Sequence, residues 1–456
     1  MKKMTDALAL LILLALAGCG GSSSSTSDGG VGSGGPPGYT GLPSGNGATP
    51  RVLQWVDKPL GTVNPRGELV QGNVLMPHVS QLGEAVSFLS SASNLVPNDD
   101  NNGVDLFVYR RSSNSTIRVN PADTTNLVSY ATDYDHFGFA FSTENTDNSP
   151  FGPFLTVLGF NGVPPVTGQR GLVTSYMGGV AAYETHAEDD PTGLTRIALT
   201  TGDELVGLDN PNNFQPAVLL KYADADCLDP QLEGGYDQRL IFFYSNATNL
   251  VPDDTNGVGD IFCYLTRENR VIRVSEGPNG EQFNAESRIG QAADYGRKYV
   301  FSSRASNIVA GDTNGASDIF MKDLVSGEVR LISKGRNGQP ANGDSDSPSV
   351  NLAGDRIIFQ SSASNLVPSD TNGRSDIFLY VGLAEAVVGR LSFAQNGEEA
   401  TGGSGLPSVC ALASYGDWVA FTSDATNLLP GVPVGGTHLY LTNMHLQEGN
   451  HPYLPE

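Results

Sequence analysis

The sequence predicts an all-β fold built from a repeated unit, and three observations support this. A polar stretch that begins Ser-x-Ala-x-Asn and ends Asp-Ile-Phe recurs in three good copies, at 245–262, 302–320 and 361–378. A looser copy lies at 90–107, and a worn one starts at Thr422. Asn249, Asn307 and Asn365 follow one another at intervals of 58 residues (307 − 249 and 365 − 307). Gly (55) and Pro (27) are frequent and charged residues make up only 16%, which favours short strands joined by tight turns.

Each unit divides into four strand-length segments. In the copy around residue 365 we expect strands at 349–352, 356–361, 376–381 and 387–393, because apolar runs there are bounded by turn residues. Four short strands in a repeat of this length are typical of a β-propeller blade.

Seven blades are expected, with six or eight as alternatives. No clean copy lies between Asn94 and Asn249, but 137–142 and 179–184 resemble second strands. Counting both gives seven units, and residues 50 to 456 divided by seven give about 58 residues each, which agrees with the spacing of the good copies. The last unit lacks a good fourth strand, whereas 51–56 resembles one. We therefore expect the N-terminal strand to complete the last blade and close the ring, because an open array would leave strand edges unpaired.

Residues 348–359, PSVNLAGDRIIF, resemble the P-x-x-S-x-D-G-x-x-I-x-F element of TolB-like propellers, which are related to the WD-repeat fold. Residues 77–88 give a second copy and 407–421 a longer variant. The resemblance implies a single propeller over about residues 51–456. It says little about function, because this scaffold serves many unrelated tasks.

The N-terminus predicts a secreted, lipid-anchored protein. Residues 1–18 have the charged start and short apolar run of a signal peptide, too short for a stable membrane span. Leu16-Ala17-Gly18-Cys19 resembles the lipobox of bacterial lipoproteins, which implies lipidation of Cys19; the alternative is an ordinary signal with a chance Cys. By the same resemblance, Gly20 favours the outer over the inner membrane of a bacterial cell envelope. Residues 19–50 are rich in Gly, Ser and Pro and predict a flexible tether.

The net charge of −23 argues against nucleic acid as a partner and against electrostatic binding to anionic lipid. Membrane contact is thus expected only through the lipid on Cys19. Besides Cys19 the chain has Cys227, Cys263 and Cys410, an odd number with no C-x-x-C spacing, so we expect buried thiols rather than a zinc or redox site.

A repeated D-T-N-G-x-x-D loop could hold Ca²⁺, because it places three oxygen-bearing side chains on one Gly turn. The candidate metal residues are Asp254, Asn256 and Asp260; Asp312, Asn314 and Asp318; and Asp370, Asn372 and Asp376. Integrin-type propellers carry a similar loop, but here Pro252, Ala310 and Pro368 stand at that family's first ligand. The alternative is a structural loop, since Asp and Asn side chains bond nearby backbone N–H groups and Asn-Gly forms tight turns.

The sequence contains no recognisable catalytic motif. Neither G-x-S-x-G nor H-E-x-x-H occurs, and the six His share no metal-ligand spacing. We therefore expect a non-catalytic envelope lipoprotein whose propeller binds a protein or a glycan, with a carbohydrate-active enzyme at the channel mouth (a glycoside hydrolase or lyase) as the alternative. Specific function is expected where the copies differ. Those places are 223–230 and the region 145–190, which carries Tyr176, His186, Glu188, Asp189 and Asp190.

Overall fold

A computed structural model of the chain describes most of the expected propeller body. The described residues are 52–59, 74–101, 103–121, 126–132, 139–143, 154–158, 166–170, 172–177, 180–186, 191–199, 217–233, 240–335, 338–382, 387–409 and 418–443. The expected signal peptide, the tether with Cys19, Cys410 and the residues Glu188, Asp189 and Asp190 lie outside them. Within these residues no helix is long and apolar enough to span a membrane.

The described elements are 28 strands. In chain order they are β1 Leu53–Trp55, β2 Val74–Val79, β3 Ala85–Ser90, β4 Asp105–Arg110, β5 Ser115–Arg118, β6 Leu127–Thr132, β7 Phe139–Thr143, β8 Phe154–Leu158, β9 Val166–Arg170, β10 Leu172–Met177, β11 Val180–His186, β12 Thr195–Leu199, β13 Ala217–Leu219, β14 Cys227–Glu233, β15 Leu240–Ser245, β16 Asp260–Leu265, β17 Arg270–Arg273, β18 Ser287–Ala293, β19 Lys298–Ser303, β20 Asp318–Asp323, β21 Val329–Leu331, β22 Ser345–Val350, β23 Arg356–Ser361, β24 Asp376–Val381, β25 Val387–Arg390, β26 Ser404–Val409, β27 Trp418–Ser423 and β28 His438–Asn443.

The strands form seven antiparallel sheets of four, so the prediction of a seven-bladed propeller is confirmed. Blades 1 to 6 are consecutive groups of four strands from β2–β5 to β22–β25, and blade 7 combines β26–β28 with β1. The predicted ring closure is also confirmed, because Leu53, Gln54 and Trp55 of β1 pair with Thr442, Leu441 and Tyr440 of β28.

The innermost strand of most blades contains a bulge that the sequence pattern did not show. In blade 6 the pairing of β22 with β23 breaks between Asp346 and Ser349, and Ser347 takes a φ of 53° before Pro348. The expected first strand at 349–352 was therefore placed wrongly: β22 begins at Ser345 and continues through the bulge. Met76, Asp229 and Leu406 repeat the positive φ before a proline in blades 1, 4 and 7.

The apolar core lies between successive blades. One cluster joins Ile358 and Leu379 of blade 6 to Val419 and Phe421 of blade 7, and the other clusters likewise join neighbouring blades. Aromatic side chains on the second and third strands stack in five blades, for example Phe359 on Phe378 with ring centroids 5.8 Å apart. Such pairs add stability beyond the area they bury, and their repetition gives the blades a common geometry.

Candidate functional site

The asparagine of the repeated motif ties its own loop to the segment that enters the blade. Asn307 Oδ1 accepts the Asn284 backbone N–H at 3.0 Å, and its Nδ2 donates to the Gln282 carbonyl at 2.9 Å. Asn249, Asn365 and Asn427 make the same pair of bonds in blades 4, 6 and 7. Both polar atoms of the side chain are therefore engaged in holding the backbone of the loop.

The candidate calcium loops are closed by bonds among their own side chains. In blade 5, Asn314 Nδ2 donates to Asp318 Oδ2 at 2.5 Å and to the Ala341 carbonyl at 2.8 Å, while its Oδ1 accepts the Ala316 N–H. Asn256 and Asn372 repeat this pattern with Asp260 and Asp376. Each asparagine thus turns its N–H group, rather than its oxygen, toward the neighbouring carboxylate.

The last Asp of each loop is also bonded to the segment that follows the fourth strand. Ser275 Oγ donates to Asp260 Oδ1 at 2.5 Å and accepts the Ile261 N–H at 2.9 Å. Ser333 and Ser392 do the same for Asp318 and Asp376, and Asn120 does so for Asp105 in blade 1. The carboxylate therefore joins the third strand to the segment after the fourth.

In three blades an arginine lies beside both carboxylates of the loop. The sequence analysis did not predict it. In blade 6, Arg390 Nη1 is 3.4 Å from Asp370 Oδ1 and 3.6 Å from Asp376 Oδ2. Arg273 stands 3.1 and 3.6 Å from Asp254 and Asp260 in blade 4. In blade 1, Arg118 stands 2.9 and 3.8 Å from Asp99 and Asp105. A guanidinium thus already supplies positive charge where a cation was expected.

Blade 5 lacks this arginine. Leu331 pairs with Phe320 at the register where Arg273 pairs with Phe262 and Arg390 with Phe378. Asp312 and Asp318 are buried, and no cationic side chain lies within 4 Å of either in the described part of the chain. Burial raises the pKa of Asp318 to about 6, and the neighbouring Asp312 adds to the rise.

The predicted metal residues are therefore brought together in pairs of carboxylates, loop by loop. Within the described residues no three His, Cys, Asp or Glu side chains converge as a metal site would require. Calcium in these loops stays a prediction.

In blade 7 the carboxylate and its hydrogen-bond partner have interchanged positions. His438 stands on β28 where blades 1, 4, 5 and 6 carry Asp, and Asp57 follows β1 where those blades carry Asn or Ser. Asp57 accepts the Trp55 indole N–H at 2.6 Å and the Leu439 N–H at 2.9 Å, and it lies 3.2 Å from His438 Nδ1. The N-terminal strand is thus fixed by a set of bonds that no other described blade uses.

The central channel contains a cavity of about 530 Å³. Its described lining comes almost entirely from the innermost strands and mixes polar side chains and prolines with apolar residues such as Leu232, Phe242 and Val409. The polar residues and prolines are Pro77, His78, Tyr130, Thr132, Gln231, Glu233, Gln291, Ser347, Pro348, Ser349, Pro407 and Ser408. None of the described lining residues is Lys or Arg. Burial lowers the pKa of His78 to about 4, so this imidazole is neutral at pH 7.

Several of these side chains bond the next blade. Ser408 Oγ accepts the Val79 N–H at 3.1 Å, and Ser349 Oγ accepts the Val409 N–H at 3.2 Å. Gln291 Oε1 accepts the Val350 N–H at 2.9 Å, and Ser349 Oγ donates to it at 3.1 Å. The channel wall is therefore held rigidly, and these oxygens are occupied in joining blades.

Acidic side chains of the segment 223–230 also make hydrogen bonds that stabilise the fold. Asp224 accepts the Thr248 hydroxyl and N–H at 2.7 and 2.8 Å, and Asp226 accepts the Thr195 N–H at 2.7 Å. These bonds join the segment to blades 3 and 4. His186 ends β11, and Tyr176 lies on β10, the innermost strand of blade 3.

Cys227 and Cys263 are free and buried, as expected. Burial raises the pKa of Cys227 to about 11, and it raises the pKa of Cys263 further. Neither thiol is therefore a ready nucleophile at neutral pH.

No protein-family model matches the chain, and no curated protein sequence matches it. The fold and the channel define a closed seven-bladed β-propeller with polar inner strands. Solved structures similar to it include a protein described as TolB from Agrobacterium tumefaciens (14% identity, 57% of this chain and 80% of that one, TM-score 0.38). They also include the WD40 repeats of RRP9 (9% identity, 86% and 99%, TM-score 0.44) and an oligogalacturonate lyase from Vibrio parahaemolyticus (11% identity, 87% and 98%, TM-score 0.49).

The expected resemblance to TolB-like and WD-repeat propellers is confirmed at the level of fold. At these identities it concerns the fold alone.

Proposed function

We propose that the protein is a non-catalytic lipoprotein of the bacterial cell envelope whose propeller is a binding scaffold for a protein or a glycan. The observation that carries this proposal is the composition of the channel. A catalytic channel needs ionisable groups whose pKa values suit proton transfer near the working pH. Apart from His78 and Glu233, the described lining consists of hydroxyl, amide, proline and apolar groups, and several of the polar ones are bonded between blades.

The described lining contains two titratable groups of the kinds that catalysis uses, His78 and Glu233. His78 is neutral at pH 7, and Glu233 is a buried carboxylate at the end of β14 that already makes a contact within the chain. The proposal therefore assigns the channel to binding.

The anchoring part of the proposal is supported by the sequence around Cys19. A signal-like start, Leu16-Ala17-Gly18-Cys19 and a Gly/Ser-rich segment stand directly before the strand that closes the ring. An outer-membrane position follows from Gly20 by resemblance to lipoproteins. This arrangement would hold the propeller near the membrane through lipid alone.

Two experiments on the full chain test these parts. Growth with an alkyne-labelled fatty acid should label the wild type in the membrane fraction, and Cys19→Ser should abolish both the label and the sedimentation. Label on Cys19→Ser would contradict the anchor. Affinity purification from crosslinked envelopes should recover a specific protein or glycan with the wild type, and recovery of cleaved glycan products after incubation would contradict a non-catalytic role.

Calcium is proposed for one loop, that of Asp312, Asn314 and Asp318. The specific observation is that Leu331 replaces the arginine that lies beside the corresponding carboxylates of blades 1, 4 and 6. The two carboxylates would supply the charge and water the remaining ligands, because the Asn314 amide is engaged in bonds within the blade. Added Ca²⁺ should raise the Tm of the wild type and leave that of Leu331→Arg unchanged. Equal melting curves of the wild type with Ca²⁺ and with a chelator would contradict the proposal.

A further inference from the structure

We infer that the channel cavity is a binding site for a short, neutral oligosaccharide, held chiefly by Gln231, Gln291 and Ser347. This rests on the proposed scaffold function and deepens it by locating the site and naming the ligand class. The inference follows from the polar groups that remain available in the cavity once the bonds between blades are made.

Polar groups with unused hydrogen-bonding capacity converge on the cavity from four blades. Gln231 makes no side-chain bond within the described residues, although it stands at the same bulge position as Gln291 of the next blade. Gln291 uses its oxygen twice, but its amide nitrogen has no described partner. The Ser347 hydroxyl lines the cavity without a described bond, and Ser408 accepts a bond without donating one. These groups present both N–H or O–H donors and oxygen acceptors, which is what ligand hydroxyls need.

The blades differ at the positions that carry these groups. The equivalents of Gln231 are His78, Gln291, Ser349 and Ser408. At the strained position before proline, Ser347 corresponds to Met76, Asp229 and Leu406. Ring closure alone does not require this variety, so the cavity has a defined asymmetry that a ligand can recognise.

The charge of the lining selects among polar ligands. An anion would find no Lys or Arg among the described lining residues, and His78 is neutral at pH 7. A cation would need a free carboxylate, whereas Glu233 already makes a contact within the chain. A neutral ligand fits both observations.

The size and the apolar parts of the cavity suit the same ligand. Its volume of about 530 Å³ lies in the range of cavities for small molecules, about 300–1,000 Å³. Pro77, Pro348 and Pro407 supply apolar surface for the C–H faces of sugar rings between the polar groups. Because the bonds from Ser408, Ser349 and Gln291 fix the wall, little order has to be imposed when the ligand binds.

Calorimetric titration of the full chain with trisaccharides tests the inference. The probes are cellotriose and chitotriose, which are neutral, and trigalacturonate, which is anionic and of similar size. We expect saturable binding of at least one neutral trimer with a Kd of about 1 mM or below and at least tenfold weaker binding of trigalacturonate.

Gln231→Leu should weaken the neutral trimer about tenfold without lowering the Tm, because Gln231 makes no bond that holds the fold. Gln360→Leu, a half-buried glutamine of β23 outside the cavity lining, is the matched control and should bind as the wild type does. Absence of saturable binding of both neutral trimers at about 10 mM, equal or tighter binding of trigalacturonate, or an unchanged Kd in Gln231→Leu would overturn the inference. Cleavage of a bound trimer would instead contradict the non-catalytic role and leave the site in place.

Discussion

Exchanging the residues at the arginine position of blades 5 and 6 tests how the loops are stabilised. Leu331→Arg gives blade 5 the arginine of its neighbours, and Arg390→Leu gives blade 6 the leucine of blade 5. If the guanidinium neutralises the loop carboxylates, the two substitutions should change the free energy of unfolding in opposite directions.

The loss in blade 6 should be the larger effect. Arg390 Nη1 lies 2.7 Å from Glu399 Oε1 and within 3.6 Å of Asp370 and Asp376, and its side chain is 1% exposed. Removing one partner of such a buried group leaves carboxylates facing one another, which costs about 3–5 kcal/mol.

The gain in blade 5 should be smaller. Bonds from a new guanidinium to Asp312 and Asp318 would contribute about 1.5–3 kcal/mol. Loss of the partly buried leucine costs roughly 1 kcal/mol, and burying the charge removes part of the rest. A net stabilisation of about 1 kcal/mol remains at pH 7 in the absence of Ca²⁺.

Urea unfolding followed by tryptophan fluorescence measures both changes, with the m-value as a check on the transition. Arg330→Leu is the control, because its exposed pair with Glu328 should contribute less than about 0.5 kcal/mol. Destabilisation by Leu331→Arg, or a cost below about 1 kcal/mol for Arg390→Leu, would refute the reasoning.

Three further predictions concern ring closure by Asp57, the backbone bonds of Asn307 and the titration of His78 in the channel. Asp57→Ala should cost about 2–3 kcal/mol, because three groups lose their bond partner; the double variant Asp57→Ser with His438→Asp should recover part of it, and an equal loss in both would contradict the exchange of partners. Asn307→Ala should lower the free energy of unfolding in urea by about 1–2 kcal/mol, since two backbone groups lose their partner. A decrease below about 0.3 kcal/mol would contradict a stabilising role of these bonds. His78 has a folded pKa of about 4 against an ordinary 6.5, so the unfolded chain takes up the proton first and stability should fall as pH drops from 6.5 to 4. His78→Gln should reduce that fall by about 2 kcal/mol, and the same pH profile in both proteins would contradict the shift.

The architecture was predictable because the well-repeated blades show their strands in the local sequence. Strands β23 (356–361) and β24 (376–381) were predicted with their observed bounds, since both are apolar runs between turn residues. The innermost strand was not, because Pro348 and the positive φ of Ser347 hide a bulge inside it. A strand prediction from alternating apolar and polar residues assumes an unbroken pleat, so it fails at a bulge.

The candidate site was predicted only in part, because its decisive contacts join distant segments. The loop residues were found from their repetition, whereas Arg118, Arg273 and Arg390 stand 13 or 14 residues after the last Asp of the loop (118 − 105, 273 − 260, 390 − 376). Alignment of the fourth strands, where Arg-x-Ser or Arg-x-Asn becomes Leu331-Ile332-Ser333 in blade 5, carries that signal. The channel groups have no such signal, since only ring closure brings the seven inner strands together.

Binding without turnover is the central claim, and one measurement tests it most directly. The full chain is incubated with cellotriose, chitotriose and trigalacturonate, and the products are followed by mass spectrometry while binding is followed by calorimetry. The account predicts a bound neutral trimer that is recovered intact. Shortened or unsaturated products that Glu233→Gln or His78→Ala abolishes, with folding preserved, would contradict it and establish an enzyme.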